Sequence, residues 1–237
     1  MSAPMNQSYD PAASQMPQDE TAPSDIQLSD DKRRTVERYR IANRTVKPGG
    51  IVCAGSSLME FFPVEQFMQE AGVDLNLHNR GISGFVCDEL YAYLDVCVLA
   101  LRPSRMVINI GTNDLNDPAT TDAILRDRYE RILTAVEQAL PGIEIMMMAY
   151  YPVNADVATD DGILACLASR TNERLQAANR VVEALAERHH ARYLDVNSVL
   201  TDEQGRLKAA YTLEGMHLNE AGYRAMFPDF LHALLTW

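Results

Sequence analysis

The chain predicts an α/β fold in which a mainly five-stranded, parallel sheet carries helices on both faces. Three observations point there. Short apolar runs bounded by turn residues recur along the sequence, the pattern of strands buried on both faces. Longer segments between them repeat apolar residues at helical spacing. Strand and helix alternate instead of clustering, and that order builds parallel sheets with helical crossovers.

Residues 1–27 are polar and rich in Pro, Ser, Ala and Gln. They offer too little apolar area to offset the entropy of ordering, so a disordered tail is expected. They show no basic start followed by an apolar core, the mark of a secretory signal. Ser29 is placed to cap a helix running to about Asn43, with Asp30 and Asp31 in its first turn. Val36, Tyr39 and Ile41 are its expected packing face, and Arg33, Arg34, Arg38 and Arg40 its solvated side. Lys47-Pro48-Gly49-Gly50 breaks the chain, so residues 28–48 read as a helix and linker and 49–237 as the main domain.

Five strands are expected within that domain. Ile51-Val52-Cys53-Ala54 is the first, and Leu75 and Leu77, alternating with Asn76 and His78, mark a weaker second. Met106 to Ile110 is the clearest buried run, followed by Ile143 to Ala149 and Tyr193 to Val196. In 121–140 the apolar stripe is Ile124, Leu125, Tyr129, Ile132, Leu133, Val136 and Leu140. A second helix carries Leu167, Leu175, Ala178, Val182 and Leu185. Asn219 can cap a last one burying Tyr223, Met226, Phe227, Phe230, Leu231 and Leu234.

Composition excludes several function classes. Acidic residues outnumber basic ones, 33 to 21, for a net charge of −12. That balance weighs against a nucleic-acid backbone or an anionic membrane as the main partner. No apolar run reaches the length of a membrane span. Cys53, Cys87, Cys97 and Cys166 show neither C-x-x-C spacing nor the density of a disulfide scaffold. Reduced, buried cysteines in a cytoplasmic protein are the expectation. A Gly-rich phosphate loop with lysine is missing, which argues against nucleotide binding.

In open parallel sheets, ligands sit beyond the carboxyl ends of the strands. Gly55-Ser56-Ser57 follows the first strand, Asn79-Arg80-Gly81 the second and Gly111-Thr112-Asn113-Asp114 the third, all on one edge. Glu214-Gly215-Met216-His217 follows the last strand by a longer loop that can return to it. Each segment has a plain reading: a capping serine, a turn glycine, ordinary turn chemistry, an isolated Glu-x-x-His. Together they supply what nucleophilic acyl transfer requires, which is a serine, a base, an acid to orient the base, and oxyanion donors. Ser57, in the first turn of a helix, is the better nucleophile than Ser56. Of five histidines only His217 has an acid three residues upstream in a Gly-containing loop; His189 and His190 end a helix, His232 lies within one and His78 on an edge strand. Asp195, closing its strand, reads as a cap of the next turn.

At these residues the chain resembles the SGNH, or GDSL, hydrolase superfamily, from about Gly50 to the C-terminus. The first block is Gly55-Ser56-Ser57-Leu58, with Ser56 where the family has Asp. The resemblance implies Ser57 as nucleophile, His217 as general base and Glu214 as its acid, in place of the usual Asp. It implies an oxyanion hole of Ser57 N–H, Gly81 N–H and the Asn113 amide, with Asp114 bracing the loop. It also implies a flavodoxin-like three-layer α/β/α sandwich, no metal or organic cofactor, and a small-molecule ester as substrate. Acyl transfer to an alcohol, or a binding role without turnover, are the alternatives. The Gly-x-Ser-x-Gly of α/β-hydrolases is absent, since Met59 holds the final glycine position. Leu58, Met59, Phe61 and Phe62, with Tyr150 to Val153, read equally as acyl pocket or as core.

Overall fold

The computed structural model describes residues 26–237. Most of the expected tail, residues 1–25, lies outside the described residues; Ile26 packs against the core and Leu28 is buried in it. Helix α1 spans Asp30–Ala42, its N-terminus capped by Ser29, whose side chain accepts from the Lys32 N–H. Val36 and Tyr39 are its buried residues. Ile41 is 61% exposed, so the packing face is narrower than the sequence suggests.

Five parallel strands follow: β1 (Ile51–Gly55), β2 (Leu77–Gly81), β3 (Arg105–Asn109), β4 (Glu144–Met148) and β5 (Arg192–Leu194), in the order β2-β1-β3-β4-β5. This is the doubly wound, flavodoxin-like order, and it reverses between β1 and β3. β2 starts two residues later, and ends three residues later, than its apolar alternation from Leu75 to His78 suggests. Leu77 is its only hydrophobic residue, and pairing with β1, ending at Gly55 opposite Gly81, sets its extent. β5 stops at Leu194, because the Asp195 side chain accepts the Asn197 N–H and turns the chain, as its strand-end position suggested.

The inner strands alternate strictly between two cores. Val52, Ala54, Met106, Ile108, Ile145 and Met147 face one cluster. Ile51, Cys53, Val107, Met146 and Met148 face the other. The first cluster is covered by α1 and by α4 (Cys87–Ala92), α5 (Leu94–Cys97), α6 (Asp122–Ala139), α7 (Asp161–Ser169) and α8 (Asn172–Arg188). The second is covered by α2 (Ser57–Glu60), α3 (Val64–Glu70), α9 (Asn197–Leu200) and α10 (Glu220–Leu235).

Helix periodicity held where packing agreed with it. In α6, Leu125, Tyr129, Ile132, Leu133 and Val136 are buried, whereas Ile124 in the first turn is 39% exposed. The stretch around Leu167 to Leu185 is two helices: Thr171 caps α8 through the Arg174 N–H, so the chain breaks at Arg170. Asn219 caps α10 as expected. All four cysteines are free; Cys53, Cys87 and Cys97 are buried, but Cys166 is only half-buried. Among the described residues no helix is long and apolar enough to cross a membrane.

Candidate active site

Ser57 is the first residue of α2, where a backbone N–H has no intrahelical acceptor. That N–H finds no other partner among the described residues. Ser56 is extended and provides no side-chain cap; its Oγ is buried without a partner. The turn is anchored from within the same helical layer, since the buried Tyr223 hydroxyl of α10 donates to Leu58 O at 2.8 Å.

His217 arrives on a tight loop between Thr212 and Leu218. Its Nε2 lies 2.9 Å from Ser57 Oγ and its Nδ1 2.5 Å from Glu214 Oε1. The same carboxylate oxygen accepts the His217 backbone N–H at 3.2 Å. The Thr212 hydroxyl closes the loop by donating to His217 O and accepting the Gly215 N–H. Gly215 sits at φ +97°, and a Cβ there would lie 2.2 Å from Asn154 O, so no other residue fits. The Phe61 ring packs on the imidazole with centroids 5.4 Å apart and remains 46% exposed. The other histidines are occupied elsewhere: His189 meets Glu137, His78 meets Asn76, and His190 and His232 lie at helix ends or on the exposed side of α10.

Asn113 begins the turn after β3. Its Nδ2 donates one hydrogen to Phe85 O at 2.9 Å, and its Oδ1 accepts from Arg170 Nη2 at 2.9 Å. The amide is thereby held one way round with its second hydrogen unassigned. The Asp114 side chain is fully buried. It accepts the Cys87 N–H at 2.9 Å and Arg128 Nη1 at 3.0 Å, which ties the loop to α4 and α6. Burial raises its carboxyl above the ordinary range, against the pull of the Cys87 N–H and Arg128.

Gly81 is not placed to donate to substrate, which corrects the expectation from the sequence. It ends β2, its N–H is held by Asn79 Oδ1 at 2.9 Å, and its carbonyl accepts the Tyr39 hydroxyl at 2.7 Å. What requires a glycine there is close packing, because a Cβ would lie 2.3 Å from Glu60 N. Three residues on, Gly84 has φ +75°, is exposed, and its N–H has no partner among the described residues. It immediately precedes Phe85, whose carbonyl holds the Asn113 amide. The second glycine of Gly81-Ile82-Ser83-Gly84 was the available signal.

Sequence reasoning also missed groups that hold the loops. Glu60 accepts both the Ser83 N–H and hydroxyl. Arg174 donates to four carbonyls, those of Leu115, Asp117, Thr120 and Ser169. Leu58, Met59, Phe62, Tyr150, Tyr151 and Val153 are core; of the apolar residues near the serine, Phe61 stays exposed. Among the described residues no cluster of three or more His, Cys, Asp or Glu side chains could hold a metal ion.

A flavodoxin-like sheet with a serine, a histidine and a carboxylate in line at its carboxyl edge has the arrangement of a serine-dependent hydrolase. Residues 62–225 match the GDSL-like Lipase/Acylhydrolase family, and the chain belongs to it. A Streptococcus pneumonia structure described provisionally as a platelet activating factor is 27% identical, with a TM-score of 0.75 over 86% of this chain and 92% of that one. A GDSL-like lipase from Bacteroides thetaiotaomicron shares the fold at 20% identity and a TM-score of 0.69, over 85% and 97% of the two chains. An N-acylneuraminate cytidylyltransferase from Escherichia coli O18:K1:H7 is 24% identical over 179 residues, 74% of this chain. The chain spans 38% of that relative's length.

Proposed function

We propose that the protein is a serine ester hydrolase acting on short-chain acyl esters through an acyl-enzyme. The observation that carries this reading is the unbroken line Ser57 Oγ, His217 Nε2, His217 Nδ1, Glu214 Oε1, with contacts of 2.9 and 2.5 Å. His217 takes the Ser57 proton as Oγ attacks the ester carbonyl, and Glu214 supports the imidazolium that forms. The oxyanion is met by the unpaired N–H of Ser57, that of Gly84 and the second amide hydrogen of Asn113. Collapse of the tetrahedral intermediate expels the alcohol with a proton from His217. Water, activated by the same imidazole, then releases the acid.

A short acyl group is favoured by what surrounds the serine. Tyr150, Tyr151 and Val153 are packed into the core, so they line no long acyl channel, and exposed Phe61 is the apolar surface beside His217. The names of the relatives do not agree on one substrate, so the acyl preference rests on these residues. Rates on p-nitrophenyl esters of increasing acyl length test it, with labelling of Ser57 by a fluorophosphonate probe. Fastest turnover of acetate or propionate and labelling lost in Ser57→Ala are expected. No turnover and no labelling would overturn the hydrolase reading. Product analysis with added alcohols separates hydrolysis from acyl transfer.

A further inference from the structure

Arg170, in the break between α7 and α8, is 3% exposed yet faces no Asp or Glu at ion-pair distance among the described residues. Its Nη2 donates to Asn113 Oδ1 and Asn116 Oδ1, each at 2.9 Å, and its Nη1 to Met216 Sδ at 2.9 Å. Its Nε is buried without a partner. A buried cation lacking a counterion is costly, and neutral donors would tie the same loops without that cost. Burial pulls the guanidinium down to about 10, so the group still carries its charge at neutral pH.

The arrangement suits a negative charge that exists only during the reaction. Asn113 Oδ1 takes the guanidinium on one side, and its Nδ2 faces Phe85 O with a hydrogen to spare. A 180° flip of the amide would set its NH2 against Arg170 and its oxygen toward the acyl site, so the arginine enforces the donating orientation. The guanidinium also polarises the amide in the direction that strengthens Nδ2–H as a donor. Through Met216 it reaches the residue before His217 and couples the two loops.

We infer that Arg170 is a positioning residue for the oxyanion, orienting the Asn113 amide and leaving its own positive charge uncompensated until the tetrahedral intermediate forms. This rests on the ester-hydrolase reading above. Charge placed in advance where an oxyanion develops acts on kcat more than on substrate binding.

The test is steady-state hydrolysis of p-nitrophenyl acetate by wild type, Arg170→Gln, Arg170→Lys, Asn116→Asp, Asn113→Ala and the Asn113→Ala/Arg170→Gln double variant, each checked by circular dichroism. Arg170→Gln is expected to lower kcat by roughly 10–100-fold with KM changed less than about threefold. Arg170→Lys, which keeps the charge, should recover part of that loss. Once the amide is gone, Arg170→Gln should cost less than about threefold. Asn116→Asp leaves the arginine and the Asn113 amide in place but supplies a counterion; it should raise Tm and lower kcat about tenfold.

Equal losses in Arg170→Gln and Arg170→Lys, or an undiminished effect without the Asn113 amide, would overturn the inference. If the arginine variants do not fold, Asn116→Asp decides alone, and an unchanged kcat overturns it. A wild type that neither hydrolyses esters nor labels with a fluorophosphonate overturns the hydrolase reading and this inference with it. An active wild type with an indifferent Arg170 overturns only the latter.

Discussion

Ser57 Oγ and His217 Nε2 stand 2.9 Å apart although 160 positions separate them in the sequence. The end of β1 delivers the serine, and the loop before α10 delivers the imidazole. That separation allows direct proton transfer without rearrangement. Tyr223 of α10 holds the carbonyl of Leu58, so the element that follows the histidine also fixes the turn that carries the serine.

Ser57→Ala should abolish acyl-enzyme formation and leave almost no esterase activity. Glu214→Ala keeps nucleophile and base but frees the imidazole to rotate, so it should retain measurable turnover with kcat reduced by up to about 10⁴-fold. Steady-state rates on p-nitrophenyl acetate check both. Glu214→Ala with wild-type kcat would remove the carboxylate from the mechanism.

Asn113→Ala should reduce kcat by about 10²–10³-fold with little change in KM, the usual effect of deleting one oxyanion donor. A change confined to KM would assign the amide to ground-state binding instead.

The sheet and its edge were readable because buried strands and amphipathic helices leave distinct periods. Ser57, His217 and Glu214 were readable as candidates because their chemistry is carried by residue type and local spacing. Gly81 misled because a glycine can serve either an open N–H or a close contact, and the difference lies in Glu60, 21 positions earlier and visible only after folding. Arg170 was invisible for a related reason. Its neighbours, Asn113, Asn116 and Met216, come from two distant loops, and a basic residue at a helix end ordinarily reads as solvated.

Tyr39→Phe leaves the Gly81 carbonyl without its buried donor. Burial, helped by Glu60, pushes the Tyr39 hydroxyl up to about 12, so it is a neutral donor at working pH. The substitution should cost about 1–3 kcal/mol of stability. Urea denaturation checks this, and an unchanged midpoint would mean that water replaces the hydroxyl.

Asp114 should give the protein a pH-dependent weakness. Its folded-state pKa is raised, so between the unfolded value, about 3.9, and the higher folded value the native chain holds a proton that the unfolded chain has lost. Its stabilising contribution is therefore full below that window and declines as pH rises through the folded value. Asp114→Asn cannot titrate, so its stability relative to wild type should improve as pH rises through the same window. Thermal unfolding from about pH 3 to 7 checks the sign; a difference independent of pH would refute it.

Met216 belongs to the core on one face of the sheet and Leu218 to the core on the other, with His217 between them. The backbone of His217 is thus pinned on each side to a separately packed half, while Leu58 and Met59 beside the serine belong to one half alone. Slippage of one half against the other would act directly on the Ser57–His217 contact. Turnover should accordingly be a sensitive gauge of this molecule's integrity, and on warming it should fail while the circular dichroism spectrum still looks native.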